Sequence, residues 1–103
     1  MTRQERSDQI LQERLGYVFS DPSLLDQALT HISAVNATSS DGLHYQRLEF
    51  LGDRVLGLII ADLLYRRFPQ ESEGNLSRRL GALVRRETCA EIAREWELAA
   101  HLR

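Results

Sequence analysis

The chain has 103 residues, of which 43% are hydrophobic, and it contains only 2 prolines and 6 glycines. These values exclude a disordered tail, a collagen-like repeat and a low-complexity linker, and they leave room for one domain with a thin core. The 15 acidic residues outnumber the 13 basic ones, and the resulting net charge of -2 disfavours a protein that merely coats nucleic acid.

The chain contains a single cysteine, Cys89, which excludes an internal disulfide and a multi-cysteine zinc site. We expect Cys89 to be a small core residue in a reducing compartment. The N-terminus has no apolar run that would form a signal peptide, and the longest apolar run, residues 55–61, is too short to span a bilayer. The sequence therefore predicts a cytoplasmic protein without membrane contact.

The N-terminal part predicts two helices in succession. Thr2 and Glu5 have the spacing of a capping box at the start of the first helix, which Gly16 ends. Asp21 is placed to cap a second helix whose first turn holds Pro22.

The rest of the chain also follows a helical pattern, after one loop-like and mobile stretch over residues 33–42. A long helix is predicted over residues 44–68 and another over residues 73–86. Thr88 and Glu91 form a second capping box that opens a further helix, and a short piece ends the chain. No segment alternates with a period of two residues, so the predicted fold class is all-α.

The long predicted helix carries two acidic residues, Glu49 and Asp53, four residues apart and hence on one face. Their mutual repulsion favours a bound cation, and ligands that are all oxygen favour magnesium or manganese. At the same helical spacing the stripe continues to Ile60 and Leu64, which are apolar. We therefore expect the pair to lie at the rim of a packed surface.

The other faces of this helix are apolar, and a helix that is apolar nearly all round is normally covered by more than one neighbour. Gly52 and Gly57 each cost about 1 kcal/mol relative to alanine in a helix. That cost suggests the close approach of another backbone. A second copy of the same helix is one candidate, and it would make a two-fold dimer.

On spacing alone, the more common explanation is an ordinary core helix whose two acids face solvent or pair with nearby basic groups. The candidate partners are His44, Arg47 and Arg54. Asp62 provides a contrast because Arg66 follows it by four residues, which predicts a structural ion pair.

The sequence of the long predicted helix favours a metal site over an ordinary core helix. The segment QRLEFLGDRVLG at residues 46–57 closely resembles the signature of the ribonuclease III family, the double-stranded RNA endonucleases. The resemblance extends from about residue 14 to the end and is to the bacterial type, not to a Dicer-type fusion. Further blocks agree in order and spacing at residues 28–33, 64–69, 73–77, 82–84 and 87–93.

The resemblance implies a partial endonuclease domain over residues 1–103, without the family's C-terminal helices, and assigns roles to four of its residues. Glu49 matches the glutamate that binds the divalent metal, and Asp53 matches the catalytic aspartate that helps hold the metal, Mg²⁺ or Mn²⁺, and its activated water. Glu73 matches a further acid of the cleavage valley with a secondary role. Phe50 matches the aromatic residue that packs into the partner of a symmetric homodimer.

The activity implied by the resemblance is hydrolysis of double-stranded RNA to 5′-phosphate and 3′-hydroxyl ends, in ribosomal and messenger RNA processing, with no small-molecule substrate. Such duplexes are recognised mainly by A-form shape, phosphates and 2′-hydroxyls. Arg78 and Arg85 are seven residues apart, as are Arg79 and Arg86, so each couple is expected to share a helix face and could contact RNA phosphates. The alternative is a solvated face paired with nearby acids, namely Glu71, Glu87 and Glu91.

Two departures from the family pattern matter. Gln46 stands where the family usually has an auxiliary acid, which puts full efficiency in doubt. The family also completes its metal cage from a later helix and carries a double-stranded RNA-binding domain, both expected beyond Arg103. Residues 1–103 alone are therefore expected to bind metal weakly and to be inactive or weakly active. If the chain naturally ends at Arg103, the alternative is a non-catalytic dimerising or RNA-binding module.

Overall fold

The computed structural model describes residues 1–30 and 40–103, and the side chains of residues 40 and 41 are not included. Within these ranges the chain is helical and has no strand, which confirms the predicted all-α class. Most of the predicted loop over residues 33–42 lies outside the described residues, and its last three residues belong to the third helix. The helices are α1 (Arg3–Leu15), α2 (Pro22–Leu29), α3 (Ser40–Arg67), α4 (Glu73–Val84), α5 (Arg86–Glu95) and a short 3₁₀-helix (Leu98–His101).

The first two helices begin and end as their capping residues predict. The Thr2 hydroxyl accepts a hydrogen bond from the Glu5 amide at 3.0 Å, and the Glu5 carboxylate accepts one from the Thr2 amide at 2.8 Å. Gly16 ends α1 in the left-handed conformation, at φ 70°, where a side chain would be strained. Asp21 caps α2, and the hydrogen bonds that Ser23 donates from its hydroxyl and amide lower the pKa of the Asp21 carboxyl.

The chain divides into two compact units, and the first comprises residues 1–48 and 93–103. Its core is small because α1 and α2 each bury only one or two leucines. The buried leucines are Leu11, Leu25 and Leu29, and the partly buried side chains packed against them are Leu15, Phe19 and Leu98.

Polar contacts tie the C-terminal residues of this unit to its helices. The Arg103 guanidinium donates to Asp8 at 2.6 Å, and its Nε lies 3.1 Å from Asp26 in an ion pair without hydrogen-bond alignment. The ring of the buried His101 meets the Ser7 hydroxyl at 2.6 Å. These partly buried contacts add to the stability of a unit whose hydrophobic core is small.

The second unit comprises residues 49–92, and its helix boundaries correct the predicted ones. The helix predicted over residues 73–86 ends at Val84, and α5 begins at Arg86 instead of after Thr88. The reason is that the Thr88 hydroxyl does not cap α5. It donates to the Ala82 carbonyl at 2.6 Å, which joins the end of α4 to the first turn of α5.

The apolar faces of α3 are exposed, which contradicts the expectation of a helix covered on several sides. Leu64 alone is buried among the α3 hydrophobic side chains that the structure describes. A Cβ added at Gly52 or Gly57 would meet no atom within 4 Å, so no backbone among the described residues packs there. Exposed large side chains of the helix include Phe50, Leu51, Val55, Leu58, Ile59 and Leu63.

Three further findings concern Cys89, the Asp62–Arg66 pair and the helices as a group. Cys89 is exposed, contrary to the expectation of a core residue, and its thiol donates to the Val84 carbonyl at 3.7 Å. Asp62 and Arg66 form the predicted ion pair, at 3.1 Å. Within the described ranges, no helix combines the length and the apolar character needed to cross a membrane.

Candidate active site

Glu49 and Asp53 lie one turn apart on α3 with exposed side chains. The helical spacing places both carboxylates on one face, and the same stripe continues through the half-buried Ile60 to the buried Leu64. Packing therefore begins about two turns beyond the acids. Contrary to expectation, none of the residues that the structure describes forms a packed rim immediately around the pair, and both side chains are exposed.

The two carboxylates differ in their partners. Asp53 forms an ion pair with Arg54 at 2.9 Å, and both side chains are 66% exposed. The Arg54 guanidinium also lies over the Phe50 ring, 4.9 Å from its centroid. Glu49 makes no hydrogen bond or ion pair with any residue that the structure describes. Because exposed ion pairs are worth little, the Arg54 contact leaves Asp53 available to a stronger cation.

Two carboxylates fit a magnesium ion whose remaining ligands are waters and substrate phosphates. In the described part of the chain, no three or more histidine, cysteine, aspartate or glutamate side chains converge on one point. Mg²⁺ commonly binds through one or two carboxylates, with waters and substrate phosphates completing its octahedral shell. Glu49 and Asp53 supply two carboxylates of the required chemistry.

The two auxiliary residues, Glu73 and Gln46, make no described hydrogen bond or ion pair with Glu49 or Asp53. Glu73 is the first residue of α4 and is exposed, and it does not join Glu49 and Asp53 in a three-ligand cluster. Gln46 is exposed on α3, in the turn that precedes Glu49. Neither side chain has a hydrogen-bond or ion-pair partner among the described residues.

Arg79, expected in a basic stripe, is held by an acid and an aromatic ring. Its Nε and Nη2 donate to the two Glu71 carboxylate oxygens at 2.6 and 2.8 Å. Its guanidinium also stacks on Phe68, 3.8 Å from the ring centroid. These two hydrogen bonds hold the pKa of Glu71 below its usual range and raise the pKa of Arg79. The alternative of a face paired with acids is confirmed at this position.

Arg78 and Arg85 do not share a helix face, contrary to the prediction from their spacing. Arg78 lies on α4 and donates to Asn75, whereas Arg85 follows the end of α4 in extended backbone, at φ -68° and ψ 157°. The seven-residue spacing implied a common face only for an unbroken helix. Arg85 lies 4.0 Å from Glu87, and both of these arginines are exposed.

A cavity of about 280 Å³ adjoins the Glu71–Arg79 pair and was not predicted from the sequence. The sequence signal nearest to this cavity is Phe68–Pro69, which directly follows the last residue of α3, Arg67. The lining residues are Tyr65, Arg66, Phe68, Pro69, Glu71 and Leu76.

Replacing Glu71 with glutamine is expected to lower the free energy of unfolding near neutral pH and to have little effect in acid. The pKa of Glu71 is depressed in the folded chain, so its stabilisation is present above the unfolded-state pKa. It is lost as the pH falls through the folded-state pKa. Urea unfolding of both proteins from about pH 7 down to about pH 3 measures this difference. A difference that stays constant over this range would contradict the assignment.

Comparison with known proteins identifies the relatives of this chain. A family model described as Ribonuclease-III-like matches residues 21–103. Ribonuclease 3 of Rhodopseudomonas palustris is 58% identical over 89 residues, which are 85% of this chain and 32% of the relative. Ribonuclease 3 of Bradyrhizobium diazoefficiens is 54% identical over 84 residues, which are 82% of this chain and 34% of the relative. The chain thus spans about a third of the length of these curated relatives.

A solved structure supports the same relationship. The nuclease domain of ribonuclease III from Campylobacter jejuni superposes with a TM-score of 0.78 at 36% identity. The match covers 91% of this chain and 62% of the other. That work describes structural flexibility in a region involved in dimer formation of the Campylobacter domain.

Proposed function

Because the chain belongs to the ribonuclease III family, we propose that it acts as a metal-dependent endoribonuclease on double-stranded RNA. The observation that carries this proposal is the pair of exposed carboxylates, Glu49 and Asp53, one turn apart within the family signature. On this proposal, residues 1–103 form the N-terminal part of the endonuclease domain, and the protein works in the cytoplasm on ribosomal and messenger RNA.

Glu49 and Asp53 would hold Mg²⁺, or Mn²⁺, against the phosphate to be cleaved. When bound, such an ion lowers the pKa of a coordinated water and stabilises charge on the phosphate oxygens. Asp53 would exchange its exposed Arg54 ion pair for the metal, and Glu49 has no described partner to give up. The products would carry 5′-phosphate and 3′-hydroxyl ends. Glu73 would assist from the margin of the site, and Gln46, at the other auxiliary position, would lack the charge of the usual acid.

RNA recognition would depend on local positive charge, since the net charge of the chain is -2. Arg78 and Arg85 are exposed, and their partners are a neutral amide and a distant carboxylate at 4.0 Å. Both guanidiniums could exchange these contacts for RNA phosphates at little cost.

The exposed apolar residues of α3 support assembly as a homodimer. Phe50 is 65% exposed, and its neighbours Gly52 and Gly57 leave open space above the helix backbone. A second α3 packed there would remove apolar surface from water and make use of both glycines.

Asp53→Asn and Glu49→Gln are each expected to reduce cleavage of duplex RNA by at least ~100-fold, because each removes a carboxylate from the proposed metal site. The assay uses the product of the complete reading frame, a radiolabelled RNA duplex and Mg²⁺. Asp62→Asn is the matched control, since it changes an α3 carboxylate that pairs with Arg66. Undiminished cleavage by Asp53→Asn, or uncut RNA with the unaltered protein, would contradict the proposal.

Phe50→Glu is expected to convert a dimer to a monomer, because it places a charge where the partner's α3 would pack. Analytical ultracentrifugation over a range of protein concentrations measures the molar mass. Val18→Glu is the control, since Val18 is 78% exposed and lies outside α3. A Phe50→Glu protein that remains dimeric would show that α3 is not the interface.

A second candidate is a non-catalytic dimerising or RNA-binding module with the same fold. It is favoured by the finding that no three metal-ligating side chains converge in the described residues. This module would retain duplex RNA without cutting it at any Mg²⁺ concentration. Mass spectrometry of the protein from its native source separates the candidates further, because a chain of the relatives' length favours the enzyme.

A further inference from the structure

Polar contacts contribute to holding the start of α4. None of the α4 residues from Glu73 to Val84 is fully buried, and Leu76 and Leu80 are half-buried, so apolar packing alone fixes this helix only loosely. Ser72 caps it by accepting a hydrogen bond from the Asn75 amide at 3.2 Å. The hydrogen-bonded side-chain pair that the structure describes between the preceding turn and α4 is Glu71 and Arg79.

This link brackets Glu73 in the sequence. Glu71 lies two residues before Glu73, and Arg79 lies six residues after it, in the second turn of α4. The turn that carries Glu71 closes with a hydrogen bond from the Glu71 amide to the Phe68 carbonyl at 3.2 Å. Because Arg79 also stacks on the Phe68 ring, one guanidinium joins the end of α3, the turn and α4.

We propose that Arg79 is a positioning residue that fixes Glu73 at the start of α4 and does not itself bind RNA. This inference rests on the proposed endonuclease function, in which Glu73 is an auxiliary acid. A planar guanidinium can form two parallel hydrogen bonds to a carboxylate while stacking on a ring, and a lysine can do neither.

The pairing separates Arg79 from its neighbour Arg78. Two hydrogen bonds and a ring face already engage Arg79, so a phosphate would meet a guanidinium whose charge an adjacent carboxylate largely offsets. Arg78 contacts only the neutral side chain of Asn75 among the described residues. The two adjacent arginines should therefore respond differently to substitution, Arg79 through turnover and Arg78 through RNA affinity.

A double-mutant cycle between Arg79→Gln and Glu73→Gln in the product of the complete reading frame tests this role. Arg79→Gln is expected to lower kcat about tenfold and to raise the Mg²⁺ concentration for half-maximal activity, as loss of a supporting contact does. The KM for RNA and its salt dependence should not change. In the Glu73→Gln background, Arg79→Gln should cause no further loss, because the residue through which it acts has gone.

Three variants complete the design. Arg78→Gln should raise KM and reduce the salt slope by about 1, the signature of a lost phosphate contact. Arg66→Gln, which removes an exposed ion pair from the end of α3, should behave as the unaltered protein. If urea unfolding shows that Arg79→Gln does not fold, Glu71→Gln takes its place in the cycle. Arg79→Lys, the conservative variant, should restore little activity.

The outcomes separate this inference from the proposed function. Additive losses in the cycle, unchanged kinetics of Arg79→Gln, or a raised KM with a lower salt slope would each overturn the positioning role and leave the endonuclease function intact. An unaltered protein that cuts no duplex RNA would overturn the proposed function, and the positioning role with it.

Discussion

The four-residue spacing of Glu49 and Asp53 in an α-helix is the constraint on which the functional account depends. It holds two negative charges on one face, where they repel each other, and both side chains lie in solvent instead of a buried pocket. Water screens this repulsion and also weakens the Asp53–Arg54 ion pair. Such a pair attracts a divalent cation without binding it tightly. High affinity therefore requires further oxygen ligands, for which substrate phosphates are suited.

The same helix carries a second constraint, because its apolar side chains are exposed around the acids. Phe50 and Leu58 remain largely in water, although a helix that is apolar nearly all round is stable when neighbours cover it. An assembly that buries these faces would place the carboxylate pair beside a protein surface, where screening by water is weaker and a bound cation is held more strongly. In the proposed dimer, association and metal binding would thereby be linked through α3.

Local signals in the sequence predicted local structure well. Thr2, Gly16 and Asp21 act on amides or backbone angles within a few residues of themselves, and each ends or begins its helix as expected. The boundary between α4 and α5 was wrong because Thr88, which has the spacing of a capping box, hydrogen-bonds backward to Ala82. The same break in the helix separates Arg78 from Arg85, since a shared face requires an unbroken helix.

The exposure of α3 could not be predicted, because burial depends on what packs against a helix and not on its own pattern. The spacing of Glu49 and Asp53 could be predicted from the sequence. The pairing of Arg79 with Glu71, eight residues away, was only one of several possible pairings with nearby acids.

Paramagnetic broadening by Mn²⁺ tests the central claim most directly, since it reports where a divalent ion binds without requiring turnover. In ¹⁵N-labelled protein, amide signals around Glu49 and Asp53 should broaden first as Mn²⁺ is added, and excess Mg²⁺ should restore them. A protein carrying both Glu49→Gln and Asp53→Asn should lose this response. Broadening centred on other acidic residues, such as Glu91 and Glu95, with the α3 signals unaffected, would contradict the assignment of the metal site.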